Sequence, residues 1–245
     1  MLYELPYEFY VRLVWLFVFL ITILLLALCY LLLALRRSVE RESQSTAFSH
    51  LVIEGMEKER RRIARELHDR ILPQIRGMEV GDQLRSICRE LMPPDFSRLS
   101  LKDSLVGFCD KFAKETGIEC VYSIEKELSF KAISTEDQLH IYRMIQEAFR
   151  NIEKHSKAQK ASLVVRRNNN GYKSNQKSSE NIFICISDDG TGFSGCQELP
   201  QEGIGLKCMN QRAAILGAKL DFISESSNGL MVTIELTPPL SEDDL

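Results

Sequence analysis

The sequence predicts an α+β fold preceded by one membrane-crossing helix, and three observations predict it. A run of 23 residues, Leu13 to Leu35, contains no charge. Apolar residues then recur at helical spacing over 52–92. From residue 99 onward, short apolar runs of strand length mix with helical patterns without a regular βαβ repeat, which points to a mixed sheet covered by helices on one face. The composition is that of an ordinary globular chain: 245 residues, 44% hydrophobic and 27% charged. That excludes a collagen, a disordered chain and a small disulfide scaffold. A net charge of −3 argues against a nucleic-acid partner held by bulk electrostatics. The seven cysteines (29, 88, 109, 120, 185, 196, 208) are odd in number, with no C-x-x-C. They read as reduced thiols, with no metal site of their own.

At 1.5 Å per residue, a helix over 13–35 is about 34 Å long, enough for a hydrocarbon core of ~30 Å. A cleaved signal peptide fits poorly, because Glu4 and Glu8 precede the run and no A-x-A site follows it. Arg36, Arg37 and Arg41 follow the span and only Arg12 precedes it. Residues 1–12 are therefore expected outside and everything after Arg36 in the cytoplasm, anchored by a single pass through the lipid.

Residues 36–51 are polar and read as a juxtamembrane helix. Val52, Met56, Ile63, Leu67, Ile71 and Ile75 then form a helical stripe. The Glu57–Arg62 charge run reads as a solvated face. Gly77 and Gly81 flank a break, and Leu84, Ile87, Cys88 and Leu91 mark a second helix that Pro93 and Pro94 end. Residues 52–94 thus read as a short helical hairpin. In the second domain, 99–240, Ser100–Thr116 suits a helix ending at Gly117, and Ile118–Ile124 a strand. A long helix should run from Ser134 to about Ser156, with Ile141, Ile145, Phe149 and Ile152 inward. Ala161–Val165 and Ile182–Ile186 read as buried strands around a polar loop, residues 168–180. A short helix over Met209–Leu216 and strands over Leu220–Ser224 and Leu230–Thr237, joined by a turn at Asn228-Gly229, complete the domain before an acidic tail, 241–245.

Three motifs in this domain carry chemistry. On the long helix, Glu147, Asn151, Lys154 and His155 lie at i, i+4, i+7 and i+8, beside the apolar stripe. Asn offers a neutral oxygen to a hard cation and Lys offers charge to a phosphate. Asp188-Asp189-Gly190-Thr191-Gly192 follows a strand, where a carboxylate can accept a hydrogen bond from an exocyclic amine. Gly203-Ile204-Gly205-Leu206 precedes a helix, whose first N–H groups suit phosphate. In the first helix, His68 stands beside Asp69, at the edge of the apolar stripe. Each motif alone has an ordinary structural explanation as a solvated face, a turn or a chance pair.

Taken in order, the four resemble the sensor histidine kinases of two-component signalling. The stretch EKERRRIARELHD, Glu57–Asp69, is similar to the phosphoacceptor helix of one subgroup. The resemblance runs from about Glu57 to Pro238. It implies a dimerising, phosphoaccepting hairpin and a Bergerat-type α/β sandwich that binds ATP, the fold shared with gyrase, Hsp90 and MutL. It also implies roles: His68 as the phosphorylated residue, Asp69 orienting it, Asn151 holding Mg²⁺ on the ATP phosphates, and Lys154 and His155 at those phosphates. Asp188 would bind the adenine amine. Gly190, Gly192, Gly203, Gly205 and Leu206 would frame the nucleotide and a lid over 193–203, and Glu147 matches the acidic helix position. The implied partners are a second copy of the chain and a response regulator with a helix-turn-helix output domain.

Two departures stand out. The subgroup carries a Gln five residues after the His, and here that position is Pro73, with Gln74 one step on. Only 25 residues separate His68 from Pro93, which shortens the hairpin that receives the regulator. A nucleotide-binding adaptor that dimerises with or regulates another kinase is the main alternative. A serine kinase of the anti-sigma type is disfavoured by the membrane helix and the His-bearing hairpin.

Overall fold

The computed structural model describes residues 7–75, 79–96, 98–168, 181–192, 204–224 and 229–237. The polar loop, the lid with Gly203, the residues just before Gly229 and the acidic tail fall outside these. The chain divides into two units, Met1–Phe48 and Ser49–Leu245. Helix α1 (Tyr7–Glu66) contributes to both. Its stretch Arg12–Leu32 is long and apolar enough to cross a membrane, and its side chains are exposed.

In the second unit, α1 gives way at Leu67–Ile71 to a π-helical turn, with the Leu72 amide donating to the Leu67 carbonyl at 3.0 Å. Pro73 explains the change. It has no amide to donate to Asp69, and its ring would clash with that carbonyl in a regular helix. The result is a wider turn that contains His68. Helix α2 (Glu79–Leu91) follows and begins before Gly81. Of the two glycines expected to flank a break, Gly77 lies outside the described residues and Gly81 is buried within α2, packed on the Ile75 carbonyl.

Helix α3 (Leu101–Thr116) is capped by Ser100, whose hydroxyl accepts from the Asp103 amide, and ends on Gly117 at φ 74°. Helix α4 (Thr135–Asn151) starts the same way on Ser134 and the Asp137 amide. It continues as a second π-helical turn, Ile152–Ser156, closed by Lys157 at φ 54°. The expected single helix to Ser156 is therefore two segments of different pitch. Helix α5 (Ile204–Leu216) begins five residues before the expected Met209.

The strands are β1 (Glu119–Ile124), β2 (Lys160–Asn168), β3 (Asn181–Asp188), β4 (Lys219–Ser224) and β5 (Leu230–Leu236), in spatial order β1-β2-β3-β5-β4. β1 pairs β2 in parallel and the other pairs are antiparallel. Period-two alternation puts Ile182, Ile184, Ile186 and Asp188 on the buried face of β3. They share the core with Ile141, Ile145, Phe149 and Ile152, as the apolar spacing of α4 predicts. Phe108 and Phe112 of α3 meet Phe149 edge-on, with ring centroids 5.3 and 4.9 Å away.

The inward face of α1 differs from the one its apolar spacing predicts. The expected stripe is largely open to solvent: Val52, Ile63 and Ile71 are exposed, and Met56, Leu67 and Ile75 half-buried. Ile53, Glu57 and Ala64, on the neighbouring face, are buried instead. Glu57 belongs to the run read as solvated, yet it is only 4% exposed. α2 is likewise mixed, with Cys88 buried and Ile87 exposed.

Candidate functional site

The end of α4 and the end of β3 meet. The Ser156 hydroxyl donates to the Ile152 carbonyl at 2.7 Å. Its own carbonyl accepts from the Thr191 amide at 2.8 Å. This ties the Asn-bearing helix to the Asp-x-Gly-x-Gly segment. Gly190 fits only because it lacks a Cβ, which would collide with that Ser156 carbonyl. Gly205, in the first turn of α5, lies against the Glu147 carboxylate, the movable end of a flexible side chain. Gly190 therefore serves close backbone packing.

Between these elements lies a cavity of about 520 Å³. Asp188, Gly192 and Leu230 line one part of its wall, and Glu147, Asn151, Lys154 and His155 another, with Gly205 and Leu206 from α5. Eight residues named from three separate motifs thus share one cavity. Gly190 is buried beside it, and Gly203 lies outside the described residues. Arg150, Ile152 and Ser156 also line it, and the sequence reading missed them. Arg150, between Glu147 and Asn151, and Ser156, just after His155, could have been found by reading that side of the helix in full.

The two adjacent carboxylates separate sharply. Asp188 is 8% exposed and accepts from the Gly190 amide at 2.8 Å. Burial raises its pKa above the ordinary Asp range, against that hydrogen bond. Asp189 is exposed and accepts from the Lys160 and Gln159 amides, each at 2.8 Å, which lowers its pKa. Asp189 is a structural clip between β2 and β3, whereas Asp188 faces the cavity. Lys154 and His155, on the π-helical turn, are exposed, and Asn151 is half-buried. Among the described residues no cluster of three His, Cys, Asp or Glu could hold a metal by itself. Asn151 would serve an ion carried in on phosphates, since Mg²⁺ commonly takes one or two protein ligands and completes its shell with phosphate and water.

His68 and Asp69 lie elsewhere. The His68 Nδ1 is 3.1 Å from an Asp69 carboxylate oxygen, and both side chains are largely exposed. His68 lines a separate groove with Leu72, Pro73, Arg85, Cys88, Arg89 and Met92, and is not in the wall of the 520 Å³ cavity.

A buried ionic cluster joins α1 to the domain. Glu57 bonds the Arg143 guanidinium at 3.1 Å and the Arg212 guanidinium at 2.6 Å. Arg143 also donates to Gln146 and to the Glu90 and Leu91 carbonyls. Burial pulls the Glu57 pKa up, but the two arginines outweigh it and the carboxyl sits below its ordinary range. Arg212 is 3.0 Å from the His140 Nδ1. An arginine only donates, so Nδ1 accepts and the proton sits on Nε2. The His140 Nε2 is buried with no partner among the described residues. Burial and Arg212 lower the His140 pKa, which keeps the ring neutral. A buried charge among alternating polar residues leaves no trace in helical periodicity, so this cluster was not legible from the sequence.

Residues 136–242 match the family described as histidine kinase-, DNA gyrase B- and HSP90-like ATPases. The chain is 26% identical over 212 residues to the oxygen sensor histidine kinase NreB of Staphylococcus carnosus, covering 75% of this chain and 58% of that protein. It is 25% identical over 209 residues to the sensor histidine kinase LiaS of Bacillus subtilis, covering 73% and 54%. The chain therefore spans a little over half the length of these relatives. A solved histidine kinase domain, from a blue-light activated histidine kinase of Erythrobacter litoralis, is 16% identical with a TM-score of 0.48, over 74% of this chain and 94% of that one.

Proposed function

From a chain related to sensor histidine kinases, and carrying an ATPase domain of the class they share with DNA gyrase B and HSP90, we propose a membrane-anchored kinase that phosphorylates His68 from ATP. The phosphoryl group then passes to an aspartate of a response regulator. The observation that carries this reading is the convergence of Glu147, Asn151, Lys154, Asp188 and Gly205 on one cavity.

In this reading the buried Asp188 carboxylate accepts from the adenine amine. Asn151 would hold Mg²⁺, whose charge would offset that of the phosphates, and Lys154 and His155 add positive charge at the same end. Phosphoryl transfer asks mainly for positioning and charge stabilisation. The Asp69 carboxylate, 3.1 Å from His68 Nδ1, holds the proton there and leaves the Nε2 lone pair free. Nε2 attacks the γ-phosphorus, the bond to the β,γ-bridging oxygen breaks, and ADP leaves with that electron pair. The exposed stripe Val52, Ile63, Ile71 on α1 supports a dimer in which a second copy covers it and the hairpins form a bundle. The apolar run at 12–32 supports an anchor, with the catalytic part in the cytoplasm.

The test is incubation with γ-labelled ATP. An acid-labile, base-stable adduct that disappears in His68→Gln is expected. An adduct that survives acid, or persists in that variant, rejects the proposal. The adaptor reading draws on the separation of His68 from the cavity and on the short hairpin. It predicts ATP binding without any adduct.

A further inference from the structure

The 520 Å³ cavity does not end at its phosphate side. A second cavity, of about 240 Å³, shares Glu147, Arg150, Lys154 and Gly205 with it. Its far wall includes Arg60 of α1. Arg60 stands one turn after Glu57, on the same helix face, and the bonds from Glu57 to Arg143 and Arg212 hold that face against α4 and α5. The Arg60 side chain is half-buried and makes no hydrogen bond or ion pair among the described residues. Lys154 makes none either, and the Arg150 guanidinium approaches a carboxylate only at 3.9 Å, on Glu90. Three cations therefore share this extension with one carboxylate, Glu147. Arg143 and Arg212, which also border it, are occupied by Glu57.

A partly desolvated guanidinium with no acceptor is a costly arrangement unless an anion completes it. The nucleotide proposed above lies with its adenine at Asp188 and its phosphates at Asn151 and Lys154, so its chain of phosphates runs toward Gly205 and this extension. We infer that Arg60, on the helix that bears His68, binds the terminal phosphate of the nucleoside triphosphate and so makes the site discriminate triphosphate from diphosphate. This rests on the nucleotide reading of the cavity. Arg60 and His68 are eight residues apart, about 12 Å along a helix. A phosphate held at Arg60 is out of reach of His68 on the same helix, so transfer to that histidine needs the nucleotide-binding cavity to move away from Arg60.

The experiment is titration calorimetry on the 245-residue chain in nanodiscs, with Mg²⁺, using ADP and the non-hydrolysable β,γ-imido analogue of ATP. In the wild type the triphosphate should bind more tightly than ADP. Arg60→Ala should weaken the triphosphate about tenfold, the size expected for one charge-assisted hydrogen bond, with ADP changed less than twofold. Arg60→Lys should recover part of the difference, since it keeps the charge but loses the fork. Arg61→Ala, one step around the helix, should leave the ratio as in the wild type. Equal weakening of both nucleotides in Arg60→Ala, or no change in either, overturns the inference while leaving the nucleotide site standing. Failure of the wild type to bind either nucleotide overturns the nucleotide site and the inference with it.

Discussion

Glu57 and His68 stand eleven residues apart in one charged stretch, and the fold treats them oppositely. Glu57 is buried, and both of its oxygens are used by arginines from α4 and α5. His68 is exposed, on a loosened turn with one exposed acid as its neighbour. A buried carboxylate between two guanidiniums fixes an orientation but gains little net energy, because desolvation offsets most of the attraction. An exposed imidazole keeps its lone pair accessible. One part of the segment therefore holds the α/β domain in place, and the other leaves an imidazole open to solvent.

The contrast is broken most completely by His68→Gln. This variant should lose all phosphoryl incorporation while binding nucleotide as the wild type does, measured by label incorporation beside calorimetry. Retained incorporation would mean that the exposed end of the stretch is not the reacting one.

Glu57→Ala should act at the other end. It leaves Arg143 and Arg212 buried without their carboxylate counter-charge, at a cost of about 3–5 kcal/mol. Urea unfolding followed by circular dichroism measures it. Changing all three residues to apolar ones of similar size should restore much of the loss, as expected where pairing only compensates for burial. A loss below about 1 kcal/mol in Glu57→Ala, the range of surface pairs, would place Glu57 at the surface in solution.

Asp188→Asn extends the comparison to the cavity. An amide in place of the carboxylate replaces a charge-assisted hydrogen bond with a weaker neutral one. Calorimetry should show adenine nucleotides weakened roughly tenfold to a hundredfold. Because burial raises the Asp188 pKa, wild-type affinity should also fall on acidification at a higher pH than an ordinary Asp would dictate. Unchanged affinity in Asp188→Asn would remove Asp188 from adenine recognition.

The smallest effect is a pH slope. The folded His140 pKa lies below its ordinary value of 6.5. Between the two values the unfolded chain binds more protons than the folded one. Stability is therefore full above about pH 6.5 and declines as the pH falls below it. Glu57, lowered from 4.5, adds its own loss only below about pH 4.5, as the pH falls toward its folded value. Unfolding free energies at pH 7 and 5.5 should differ by less in His140→Gln than in the wild type. An equal slope in both would assign it to another group.

Much of the fold was legible in advance because its causes are local. Ser100 and Ser134 cap helices through amides three residues on, and Gly117 ends one through its left-handed backbone. The alternation in β3 reaches Asp188, and that is why a carboxylate picked from a loop motif is found buried. The Asn151, Asp188 and Gly205 motifs were readable as a set, since their spacing along the chain survives wherever the domain folds. Tertiary structure decided the rest. Pro73 and the close of α4 convert regular helix into π-helical turns around His68 and Lys154. The face that α1 turns inward carries Glu57 rather than the apolar stripe, because Arg143 and Arg212 arrive from helices 86 and 155 residues away. Periodicity reports how much apolar surface a helix can bury. It cannot report which charges will find partners, because a buried ion pair is defined by two positions and the sequence shows them one at a time.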